Sequence, residues 1–521
     1  MKSKSETPAD AQYARKDNLE MSRPTLHRLN ILDLPNELLV DIFEILESAK
    51  NRAWRPKRRL HDSPDIRHVR LTCRRFCNTS SHLLVSHVRV DLSVASLARL
   101  AEIASHPEIR KGVKVVSVQL SFWDARMAND LARFINHTTR NFPTKVFDIL
   151  SGAPGSKISS LNISKKVQSH PHPDAVRVGS KSNTYLQEVL RDTHEEYRQL
   201  HREQESLLRR NAFERAVASA MARMPKACSL EVDDQDVWLR RDRPKSCGKE
   251  PKRIVHRNLI RPIRWAFSSQ SGCPPMKLLH TLPIICHEAG VHLKSLSIHV
   301  TRPESYAVLS SDQVALAKLS LATQHLEYLY FGEDRGGMHG LTSGHFYGSV
   351  APISNYLTTV ASGKNLRRVR LEHGHDLERS VALALVRCLP WQNEPNVYMS
   401  RLCVHSSELA EFVNPLDKPM KLHFGRVRLV CGSWADAFDM LRQKRLHWSF
   451  DGLSGGEVDD LGGFDGSPPV SVTRNGRLGQ AEKYIQGLVT LNPIRVACQT
   501  RPWFDDLVTE LSLGGCANLL H

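Results

Sequence analysis

What this sequence lacks narrows it first. Its 11 cysteines are scattered without one Cys-x-x-Cys pair. Cys73 and Cys77 have no second pair at metal-ligand spacing, so neither a zinc site nor a disulfide framework is supported and reduced thiols are expected. No run approaches the roughly 18 uninterrupted apolar residues of a membrane span, and the polar start Met-Lys-Ser-Lys-Ser-Glu has no apolar core of a secretory signal. The expectation is a chain of the cytoplasm and/or nucleus with no membrane partner. A phosphate-binding loop and a dinucleotide fingerprint after a strand are missing, and no nucleophile elbow is expected. His287-Glu288 lacks the second histidine of a metalloprotease helix, and His373-Gly374-His375-Asp376 lacks matching ligands. No catalytic residue, metal or cofactor is therefore expected, and the chain reads as a non-enzyme.

Negative charge is also in deficit: 72 Lys and Arg face 55 Asp and Glu, a formal net charge of +17. A basic surface attracts phosphate without sequence preference. Here, however, the excess gathers at residues 55–59, 157–181 and 240–264, all loop-like, and basic loops are more often solvated or used as import signals. Specific nucleic-acid binding is not the favoured reading.

What is present centres on residues 29–76. Pro35 suits the first turn of a helix and Glu37 its positive end. Leu34, Leu38, Ile42 and Ile45 then fall at helical spacing, and Leu39, Phe43 and Leu46 widen the apolar stripe to nearly half the circumference, more than one small packing partner would cover. A second short helix sets Ile66, Val69, Cys73 and Phe76 against Arg67, Arg70, Arg74 and Arg75. Two such helices with no third partner of their own suggest a module completed by another protein.

Leu34-Pro35-x-Glu37-Leu38-Leu39-x-x-Ile42-Phe43, followed by Leu71-Thr72-Cys73-Arg74-Arg75-Phe76, resembles the F-box, and residues 78–84 and 90–92 look like those of filamentous-fungal F-box proteins. The resemblance covers roughly one tenth of the chain. It implies a substrate receptor that docks on the small adaptor subunit of a cullin-RING (SCF-type) ubiquitin ligase and presents a client protein, itself unidentified, for ubiquitination. Carried over position by position, the adaptor contacts are Leu34, Pro35, Leu38, Ile42, Phe43 and Leu46 from the first half and Leu71, Cys73 and Phe76 from the second. The gap between the halves is longer than the family's and holds the basic run at 54–59, and Phe76 stands where the family often has Trp. The alternative is a non-catalytic interaction scaffold, nuclear and nucleic-acid-associated, that uses the F-box without ubiquitin transfer.

Residues 1–27 read as a disordered tail and 28–92 as the F-box segment with a basic insertion. Residues 93–521 read as a substrate-binding region. A short strand is expected near 84–92, at the end of the F-box segment; after it, helices near 94–106 (capped by Ser93) and 124–135 flank a strand near 113–120. A long helix spans about 185–224, its seam interrupted at Thr193 and Gln204; a core helix is preferred over a coiled coil. Leu-x-x-Leu-x-Leu fragments recur at 227–232, 293–298, 326–331, 366–371, 401–404, 427–430 and 446–450, separated by candidate helices at 312–323, 354–362 and 433–442. A unit of this kind cannot bury its face alone, so stacking follows. The expected fold class is α/β, mostly α at the N-terminus: a short helical F-box and then an irregular leucine-rich-repeat-like solenoid. Flexible insertions are placed near 144–183, 240–277, 332–349 and 452–477. Trp391, Trp434, Trp448 and Trp503 lie in or beside the later repeats and are read chiefly as core.

Overall fold

The computed structural model describes residues 30–49, 64–141, 181–234, 260–265, 274–303, 305–309, 313–334, 351–372, 396–416, 421–444, 447–460 and 477–500. The chain divides into two units, Met1–Leu84 and Val85–His521.

In the first unit a 3₁₀ turn, Ile31–Asp33, is closed by Asn30. Its side chain accepts from the Leu32 N–H at 3.1 Å while Asp33 accepts from the Asn30 N–H at 3.0 Å. Pro35 then leads into α1 (Asn36–Ala49). The second half is not one helix but two, α2 (Pro64–Thr72) and α3 (Arg74–Ser80). Cys73 separates them because it is extended (φ −157°) and its Sγ accepts from the Phe76 N–H, as an N-cap does. Leu39, Phe43, Ile66, Phe76 and Leu83 form a separate small core, with the Phe43 and Phe76 rings edge to face at 5.2 Å. The third helix is thus supplied by the unit itself, contrary to the two-helix expectation.

Among its described residues the second unit is α/β, and ten strands run parallel in one sheet that does not close into a barrel. They are β1 (His87–Asp91), β2 (Val115–Gln119), β3 (Ser229–Asp233), β4 (Ser295–Thr301), β5 (Tyr328–Asp334), β6 (Arg368–Glu372), β7 (Asn396–Ser400), β8 (Cys403–His405), β9 (Lys421–Cys431) and β10 (His447–Gly455). Their spatial order follows the sequence, β1 to β7, then β9 and β10, with β8 beside the far half of β9. Equal register makes the alternation coherent from edge to edge. Val88, Val116, Leu230, Leu296, Leu329, Val369, Val397, Leu422 and Trp448 form one inner row, all buried. Parallel strands need crossovers, and among the described residues helices supply most of them. α4 (Val94–Ser105) and, after α5 (Ala125–Asn129), α6 (Leu131–Asn141) and α7 (Lys181–Leu208), the helix α8 (Ala212–Arg223) begin this second layer. It continues through α9 (Leu278–Glu288), α10 (Gln313–Thr323), α11 (Ala351–Val360), α12 (Ser406–Val413) and α13 (Trp434–Gln443). The short α14 (Glu457–Asp460), then α15 (Arg477–Ile485) and α16 (Pro493–Thr500), complete the described chain.

Several expectations change in detail. The strand within residues 84–92, grouped above with the F-box segment, is the first strand of the second unit. The helix expected at 124–135 is two, because Asp124 and Asp130 each offer a carboxylate to the N–H groups that follow. The long helix breaks where Arg210 and Asn211 turn left-handed, at φ 57° and 56°. Thr193 and Gln204 do not interrupt a seam; both are buried, and Gln204 Oε1 accepts from the Trp123 backbone N–H at 2.8 Å while its Nε2 donates to the Trp123 carbonyl at 3.1 Å.

Within the insertion placed at 240–277, Trp265 is fully buried and donates its indole N–H to the Leu120 carbonyl, while Ile263 bridges to Phe122. Part of the glycine-rich insertion at 452–477 belongs to β10. Gly455, at φ 77°, brings the backbone so near the Leu429 carbonyl that a Cβ would collide with it. β7 was not foreseen. The tail 1–27, the basic run 54–59, residues 142–180 and 335–350, His373 to Asp376, Trp391 and Trp503 lie outside the described residues. Trp434 and Trp448 are core. No helix among the described residues is long and apolar enough to cross a membrane.

Candidate docking surface

At 100° per residue, six apolar residues of α1 span an arc of roughly 160°, in the order Ile45, Leu38, Ile42, Leu46, Leu39, Phe43, with Val40 lying about 60° beyond Phe43. The unit's own core takes only one side of that arc: Leu39 and Phe43 are buried. Leu38 (48%), Ile45 (62%) and Leu46 (39%) stay exposed and Ile42 is half-buried. From neighbouring segments Ile31, Leu32 and, at 83%, Leu71 are exposed as well.

Of the nine residues expected to contact an adaptor, Pro35, Leu38, Leu46 and Leu71 are exposed, and Leu34, Ile42 and Cys73 are half-buried. Phe43 and Phe76 face the unit's interior, where they hold the helices together. The motif cannot separate these roles, since both stripes read simply as apolar. Arg75 was assigned only to a basic face. In the structure its Nε donates to Asn36 Oδ1 at 2.9 Å and its terminal nitrogens donate to the Leu32 and Leu34 carbonyls, fixing the approach to α1. Two arginines of the basic face, Arg67 and Arg74, are exposed.

The outward side of the sheet in the second unit carries a further set of side chains. Across β5, β6, β7 and β9, at one register level, stand Tyr330, Arg370, Tyr398 and His423. The Arg370 guanidinium lies 5.8 Å from the Tyr330 ring and 4.3 Å from the Tyr398 ring, and Tyr398 stacks on His423 at 4.5 Å. Glu372 accepts from Arg370 Nε at 2.8 Å and from the Tyr330 hydroxyl at 3.2 Å. Burial opposes the Arg370 charge, but Glu372 outweighs it and the guanidinium ends above its ordinary pKa; burial likewise raises Tyr330, and lifts Tyr328 to about 12. Gly332 and Gly425 leave room for the hydroxyl ends of the two tyrosines; a Cβ on Gly425 would meet the Tyr398 hydroxyl at 2.6 Å.

One Gly-x-Ser-x-Gly string, Gly452-Leu453-Ser454-Gly455-Gly456, does occur, against the expectation of no nucleophile elbow at pattern level. Ser454 lies within β10, in register with Arg428, rather than on the turn an elbow requires. Among the described residues no group of three His, Cys, Asp or Glu could hold a metal ion. No family model matches the chain, and no curated protein or solved structure matches it.

Proposed function

We propose that the protein is a substrate receptor: its first unit is an F-box that docks on the small adaptor of an SCF-type ligase, and its second an irregular leucine-rich-repeat-like array that holds a client protein. One observation carries this reading, the division of α1 into a stripe used by its own unit and a stripe left open. Fully burying a Leu or Ile side chain is worth about 1.5–3 kcal/mol, so the exposed set offers a partner more than a single helix face normally does. The parallel ladder with a helix in its crossovers, and with a polar outward face, supports the receptor array. Ubiquitin transfer would then proceed by proximity, a tethered client lysine meeting a high local concentration of thioester, with no bond chemistry by this chain.

The test is co-purification of adaptor and cullin with the full chain. Leu38→Asp combined with Leu71→Asp alters only exposed positions, so the expected result is loss of adaptor with the thermal transition unchanged. Retention of adaptor by that variant overturns the assignment.

A further inference from the structure

The last strands of the sheet break step together. Buried apolar side chains alternate along them and then miss one position, from Met399 to Leu402, from Phe424 to Val427 and from Phe450 to Leu453. The extra residue is left-handed each time: Arg401 (φ 60°) between β7 and β8, Arg426 (φ 54°) in β9 and Gly452 (φ 79°) in β10. The three stand level across the sheet, since Gly425 pairs with Ser400 and Asp451 and its carbonyl accepts the Arg401 N–H at 2.7 Å. Glycine takes this conformation freely, and β10 uses it. Arginine in the same place twice is a conformational cost that the bulge does not require, so the side chains are the reason for it. Neither guanidinium, nor that of Arg428 in the next row, has a hydrogen-bond or ion-pair partner among the described residues; Arg426 and Arg428 are exposed and Arg401 is half-buried. On the outward face the nearest carboxylates in register are Glu372, held by Arg370 and Tyr330, and Asp451.

We propose that Arg401, Arg426 and Arg428 bind a phosphate dianion, free or as the end of a small ester. This goes beyond the receptor reading and does not depend on it. Neighbouring strands lie about 4.8 Å apart, and Arg428 follows Arg426 by two residues, about 7 Å, so three long side chains can close on one group. A phosphate monoester carries a charge of about −1.5 to −2 near pH 7 and three acceptor oxygens, which three guanidinium forks match better than a singly charged carboxylate does. The place favours a compact ligand. On one side β8 ends at His405 and β10 at Gly455; on the other the row of Glu372 and Asp451 repels an anion that extends along the strands. A nucleic acid or an acidic segment of protein would have to cross that row.

Calorimetric titration of the intact chain with inorganic phosphate and with phenyl phosphate, at an ionic strength held constant with sodium chloride, tests this. Saturable binding and a raised thermal transition are expected. Tighter binding of phenyl phosphate identifies the ester and tighter binding of inorganic phosphate the free ion; either upholds the site. Arg401→Gly combined with Arg426→Gly should weaken binding about tenfold or more, while the transition of the ligand-free protein stays unchanged or rises, because glycine relieves the left-handed cost. A merely structural pair of arginines would give the opposite, a lowered transition with binding intact. Arg428→Gln, at an ordinary strand position, should weaken binding in the same direction, which covers any folding defect of the glycine pair. A response that sodium chloride alone reproduces, or affinity unchanged in both variants, overturns the proposal. So does binding of a phosphorylated peptide or a short single-stranded RNA where neither small probe binds.

Discussion

The guanidinium of Arg75 reaches two backbone carbonyls and the Asn36 side chain at once, a fork that a lysine ammonium cannot reproduce. Arg75→Lys should therefore behave like Arg75→Ala: faster amide exchange across residues 31–36 and weaker adaptor capture, although no apolar surface is removed. His280 makes a second prediction at this scale. Its ring stacks on Tyr356 at 4.9 Å, and burial pushes its pKa from 6.5 down to about 4. The unfolded chain then binds the proton more tightly, so this contribution is complete above pH 6.5 and is lost as the pH falls through 6.5 towards 4. Denaturant titrations should show that loss, on the order of 1–3 kcal/mol, and His280→Phe should reduce it. The capping residue Ser93 was legible because its chemistry is local. Arg75 was not, because its partners lie some forty residues away in the chain.

At the scale of elements, helix periodicity located α4, α10 and α13 within a residue or two, yet read the polar positions of α7 as interruptions. Gln204 is instead the residue that satisfies both backbone groups of Trp123. Gln204→Leu, which would improve a coiled-coil seam, should destabilise the second unit by about 2–4 kcal/mol, since two buried backbone groups lose their partners. A rise in the denaturation midpoint would refute this. Glycine misled in the opposite sense. The run at 452–456 reads as a loop, but Gly455 allows the strand to close on Leu429, and Gly455→Ala should cost several kcal/mol because of the collision and its positive φ. Trp265 gave a weak signal, one indole amid arginines, and only the Leu120 carbonyl and the surrounding core explain its burial.

At the scale of the molecule, among the described residues the larger core begins at Val85, and the small core draws on nothing beyond Leu83. Residues 85–521 expressed alone should keep their thermal transition while losing adaptor capture. Within that unit each strand pairs mainly with its sequence neighbours, so stability should propagate locally. Trp448→Ala, a large-to-small change in the last strand, is expected to release amide protection in β9 and β10 while β1 to β4 remain protected. Uniform loss across the sheet would show instead a single cooperative block.

The sequence by itself determined the alternation of buried and outward residues in most strands, the breadth of the apolar arc on α1 and the helix caps, because these depend on spacing within a few residues. It could not decide which half of that arc the chain keeps for itself, nor that Tyr330, Arg370, Tyr398 and His423 stand in one stack. Burial and register are settled between segments far apart in the chain, when each strand finds its neighbour and each side chain finds what covers it.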